Sequence, residues 1–132
     1  MHLENNWRHK SLENLEKDEW KIFDSDSRLV RRTKELRKIP LDNFTVEDLR
    51  LMIGQGFSID YLIPLAIEKL KEDILAEGDL YKGDLLLAVI NSRQDYWDKL
   101  PDQKKELIEL IKTNKGLIDE EGLEIEIDSV EK

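Results

Sequence analysis

The chain has 132 residues, no cysteine and a net charge of −9. That length can bury a core unaided, and the missing thiols exclude disulfides, thiolate metal sites and cysteine catalysis. Residues 1–38 carry 10 Lys+Arg against 8 Asp+Glu, whereas residues 39–132 carry 11 against 22. So acidic a region repels nucleic-acid phosphates and anionic lipid, and draws basic macromolecules toward itself.

The first stretch with helical spacing runs from Ser11 to Phe23, with Leu12, Leu15, Ile22 and Phe23 on one side and Trp20 beside them. Asp24-Ser25-Asp26-Ser27 breaks it and supplies several potential N-caps. From Arg28 a second stripe, Leu29, Val30, Thr33, Leu36 and the aliphatic stem of Arg37, runs until Pro40 stops it.

The third helix has the clearest signals. Thr45 is its cap, with Asp48 three residues on as a shorter relative of the capping-box Glu, and Phe44 and Leu49 take the staple positions. Leu49, Met52 and Ile53 form its buried face, and Gly54 and Gly56 supply a left-handed exit. The fourth helix is expected from about Ser58 to Glu72, with Pro64 harmless only in the first turn.

Two glycine turns follow, and Asp84 is placed to cap a fifth, almost wholly apolar helix over Leu85 to Asn91. A sixth starts at Pro101 and Asp102, buries Leu107, Ile108, Leu110 and Ile111, and ends at Asn114 and Gly116. Beyond Gly116, Leu123, Ile125 and Ile127 alternate with charge as in a strand. With no second strand to pair with, an extended or mobile tail is expected. The expectation is an all-α fold: one compact domain over 1–116, an irregular bundle of five or six helices, with an acidic extended tail over 117–132.

Candidate chemistry is sparse. His2 and His9 are the only imidazoles and have no zinc or triad spacing. The loop Glu77-Gly78-Asp79-Leu80-Tyr81-Lys82-Gly83-Asp84 fails the EF-hand template. Glu77, Asp79 and Asp84 could form a carboxylate hydrolytic site, but general turn preferences favour the reading in which the glycines make turns, Asp84 caps a helix and Asp79 bonds loop amides. Tyr96 and Trp97, flanked by Asp95 and Asp98, suit a protein interface and equally suit a contact between the fifth and sixth helices. No stretch is long and apolar enough to span a bilayer, and MHLENNWRHKSLENLEK has no signal-peptide core, so a cytoplasmic protein is expected.

Taken together, these residues resemble the immunity proteins of bacterial contact-dependent growth inhibition systems. The likeness is carried by Pro40-Leu41, Phe44-Thr45-Val46-Glu47-Asp48-Leu49-Arg50-Leu51-Met52-Ile53-Gly54-Gln55, Leu62-Ile63-Pro64-Leu65-Ala66 and Leu70. It continues through Glu77-Gly78-Asp79, Tyr81 and Gly83-Asp84-Leu85-Leu86, with Ser11-Leu12-Glu13-Asn14-Leu15-Glu16 and Trp20 upstream. It covers about residues 10–97, and departs from the family pattern at Lys82, where a proline is expected.

The resemblance implies a non-enzymatic antitoxin that binds the cognate C-terminal toxin domain and blocks its active site or substrate access, without cofactor or metal. Toxins of such systems are often nucleases with basic grooves. Neither nucleic acid nor membrane is an expected partner, and the oligomeric state is left open. Contacts are sought among exposed acids and aromatics: Glu77, Asp79, Tyr81, Asp95, Tyr96 and Asp98. The alternatives are an acidic helical adaptor for another basic protein, and a metal-assisted hydrolase using Glu77, Asp79 and Asp84.

Overall fold

The computed structural model describes residues 6–92 and 99–125. Among these the chain is all-α, with seven α-helices, two short 3-10 turns and no strand. It divides into two compact units, Met1–Thr45 and Val46–Lys132.

The first unit contains α1 (Leu12–Glu16) and α2 (Arg28–Leu36), with 3-10 turns at Trp7–His9 and Leu41–Asn43 that pack on one another. Ser11 caps α1 by accepting the Asn14 N–H at 3.2 Å, and Ser27 caps α2 through Val30 N–H at the same distance. The helix expected over Ser11–Phe23 ends at Glu16, where Lys17 turns left-handed with φ 53°. The reason lies in Arg37, which the sequence offered only as an aliphatic stem. Its side chain is fully buried, and its guanidinium donates to Glu16 Oε1 at 2.5 Å and to the Asp18 carbonyl at 2.7 Å. It also lies 4.3 Å from the Trp20 ring centroid, a cation–π distance.

Residues 17–20 therefore wrap a buried cation instead of continuing a helix. The expected stripe on α2 narrows accordingly. Thr33, Leu36 and Arg37 are buried, while Phe23, Leu29 and Val30 are exposed.

The second unit is built around α4 (Ile59–Glu72), which packs against α3 (Val46–Gly54), α5 (Asp84–Ile90) and α6 (Pro101–Thr113). Its core includes Leu49, Met52, Ile63, Ile67, Leu86, Val89, Leu107 and Ile111. Of the two glycines expected to make the exit from α3, Gly56 does so with φ 79°, and Phe57 N–H reaches back to the Met52 carbonyl at 3.1 Å, the six-to-one bond of a Schellman end. Gly54 is instead the last residue of the helix itself. Pro64 falls in the second turn of α4, so the Asp60 carbonyl has no helical N–H to accept.

Asn114 closes α6 as expected, but Gly116 does not end the helical region. It lies inside α7 (Lys115–Glu120), which packs on α6. Regular structure thus runs past residue 116. Leu123–Ile125 has no regular structure and no strand partner among the described residues, and 126–132 lie outside them.

Candidate functional site

The acidic loop between α4 and α5 is fixed by side chains that the sequence scatters over nearly forty positions. Glu47, in the first turn of α3, takes Arg50 one turn later in a fork, with Nε at 2.6 Å and Nη2 at 2.5 Å. The same Glu47 Oε1 accepts the Asp79 N–H at 2.8 Å. Asp84 Oδ1 accepts the Gly78 N–H at 2.7 Å, while Oδ2 accepts Leu80 N–H at 3.0 Å and, more weakly, Tyr81 N–H at 3.4 Å. Arg50 Nε stands 3.8 Å from Asp84 Oδ2 and joins the two carboxylates electrostatically. Four successive loop amides are thus held by two acids, and a buried amide with such a partner avoids a desolvation cost of roughly 1–3 kcal/mol.

Asp84 was expected to cap α5, and it does not. Gly83, with φ 88° and no side chain to offer, occupies the cap position, and Asp84 enters the first turn with only 2% exposure. From there its carboxylate points back across the loop. Gly78 is required by crowding, since a Cβ built there would fall 2.5 Å from Glu47 Oε1 and 3.2 Å from Glu47 Cα.

The electrostatics agree with the geometry. The Arg50 fork, opposed by burial and helped by the Asp79 N–H, holds the Glu47 carboxyl below its ordinary value. The same fork raises Arg50. Both effects favour the charged pair.

This arrangement displays the loop's side chains while its Asp84 carboxylate is turned to the backbone. Both oxygens of Asp84 are committed to backbone donors, and no group of three or more His, Asp or Glu among the described residues could hold a metal ion. The hydrolase reading therefore loses one of its three carboxylates.

Of the expected contact residues, Glu77, Asp79 and Tyr81 lie together, exposed, on this loop. Asp95, Tyr96 and Asp98 lie outside the described residues. Sequence reasoning missed Leu80, which is 62% exposed beside Tyr81 at 44%. The available signal was an apolar side chain set among acids in a turn, with no helical partner at three or four residues.

Glu47, Arg50, Gly78, Asp79, Gly83 and Asp84 are residues that carried the family likeness, so the likeness follows one hydrogen-bonded frame. The family model for CDI immunity proteins matches residues 14–107, most of the chain. The chain belongs to that family, and is a contact-dependent growth inhibition immunity protein, the class that binds a cognate toxin. Neither a curated protein nor a solved structure matches it.

Proposed function

We propose that this protein acts in the cytoplasm as a stoichiometric, non-enzymatic inhibitor of a nuclease toxin, covering its active site or the path of its substrate. The observation that supports this reading is the fixed loop, which carries exposed Glu77, Asp79, Leu80 and Tyr81 within an acidic unit. A nuclease groove is basic because it binds phosphates, so an acidic inhibitor competes for the same field and gains association rate from it. Aromatic and apolar anchors within a charged rim supply the desolvated contacts that hold such a complex. Glu77, Asp79 and Tyr81 are the contacts we assign within the described residues, with Asp95, Tyr96 and Asp98 the further expected ones.

The test is titration of the purified chain into the toxin domain encoded beside it, following nucleic-acid cleavage. The expected outcome is loss of cleavage at one equivalent, insensitive to chelator on the inhibitor's side. A toxin that remains active at saturating inhibitor, or a pulled-down partner that is no toxin, overturns the proposal and favours the adaptor.

A further inference from the structure

The loop and the far end of the described chain meet. Gly83 has a left-handed φ of 88°, and a Cβ built on it would lie 2.3 Å from Leu123 Cδ1, so Leu123 rests directly on the loop's last turn. Leu87 on α5 and Asn91, which follows its last residue, border two hollows at once. One, of about 240 Å³, extends beneath the exposed Leu80 and Tyr81. The other, of about 690 Å³, is bounded by Asp119, Leu123 and Glu124. The smaller falls below the roughly 300–1,000 Å³ of small-molecule sites and suits a side chain instead.

Charge on this saddle is one-sided. Glu77 and Asp79 are exposed on the loop side, and Asp119, Glu120, Glu121 and Glu124 on the other. The cations nearby are exposed Lys82, Lys115 paired to Asp119 at 3.5 Å, and Arg50 in the grip of Glu47. Residues 119–125 also lie beyond the 14–107 covered by the family model. A frame built from family residues is thus bordered by a segment that the family pattern does not reach. Discrimination between toxins is a difference of affinities, and contacts outside the shared pattern can supply it.

We infer that the saddle over α5, closed by Leu80 and Tyr81 on one side and by residues 119–125 on the other, is a docking face for the cognate toxin. It takes an apolar side chain flanked by Lys or Arg, with the apolar group under Leu80 and the cation toward Glu124. This rests on the immunity reading above, and it gives the C-terminal segment a part in recognition that the loop residues alone do not imply.

The experiment measures Kd and association rate for the purified toxin domain against the wild-type chain, Leu80→Ala, Glu124→Lys and Glu109→Lys, at low and moderate salt. Glu109 is exposed on α6 and borders neither hollow, so its reversal reports the overall field alone. Absence of binding by the wild-type chain overturns the immunity reading, and the saddle with it. Given wild-type binding, Leu80→Ala should weaken the complex about tenfold or more, the range of a buried anchor. Glu124→Lys should cost several-fold more than Glu109→Lys, most clearly at low salt. Leu80→Ala within about twofold of wild type, or equal effects of the two reversals, overturns the saddle and leaves the immunity reading standing.

Discussion

Replacing Asp84 by Ala removes the acceptor of three loop amides at one stroke. Two of these bonds are well formed, at 2.7 Å to Gly78 and 3.0 Å to Leu80, and the third is stretched at 3.4 Å. A hydrogen bond to a charged group contributes about 1.5–3 kcal/mol net, so two of them set an upper range of roughly 3–6 kcal/mol. Both bonds are only part-buried, so water replaces some of what is lost. The expected destabilisation is therefore about 2–4 kcal/mol, large for one residue yet within the roughly 5–15 kcal/mol of an ordinary domain.

Urea unfolding of wild type and Asp84→Ala measures the total, and amide exchange locates it. Exchange at Gly78, Leu80 and Tyr81 should accelerate far more than exchange in the α4 core. Asp79→Ala is the control: its side chain is exposed, and its tie to Glu47 runs through the backbone N–H, which alanine keeps. It should stay within about 0.5 kcal/mol of wild type. An Asp84→Ala protein equally close to wild type, with unchanged exchange at Gly78 and Leu80, would refute the role of Asp84 as the acceptor that holds the loop.

Other substitutions probe the remaining parts. Gly78→Ala should cost about 1–3 kcal/mol by pushing against the Glu47 backbone, read by the same unfolding assay. Arg37→Ala removes the buried guanidinium that donates to Glu16 and to the Asp18 carbonyl and should cost about 2–4 kcal/mol, below the full buried-pair range because the Glu16 side chain is 29% exposed. In the folded chain Glu47 and Glu13 both sit below the ordinary value of 4.5. For Glu13, burial works upward and is outweighed by Lys38 and the Trp20 N–H. A depressed folded pKa adds stability that is complete above the unfolded value and disappears as pH falls through the folded one. Stability should therefore decline below about pH 5, and Glu47→Gln should flatten that decline relative to wild type.

The sequence made α3 to α6 legible almost to the residue, because their ends are written in local chemistry. Thr45 precedes α3, Gly56 supplies its left-handed exit, Pro101 opens α6 and Asn114 closes it. Each signal acts within four positions of the residue it governs. The failures share the opposite property. Helix α1 stops early because Arg37, about twenty residues away, needs Glu16 and the Asp18 carbonyl, and no periodicity records that demand. Asp84 looked like a cap because an acid before an apolar run usually is one. Its real acceptor duty toward Gly78 and Leu80 depends on how the loop folds back. At the candidate site, the acids Glu77 and Asp79 could be picked out by type, whereas Leu80 showed only the weaker signal of an apolar residue among acids in a turn, its exposure being a tertiary property.

The loop's fastening also bears on how such a protein can change over generations. Glu47 and Asp84 grip main-chain N–H groups at positions 78–81, and every residue except proline carries one. Gly78 is confined by crowding, whereas the bonds that fasten positions 79, 80 and 81 run through their main-chain N–H groups. A lineage confronted with an altered toxin can rewrite Leu80, which lies outside the shared pattern, while the path of the backbone survives. Separating the parts that hold the loop from the parts that face outward lets novelty accumulate without loss of foldability.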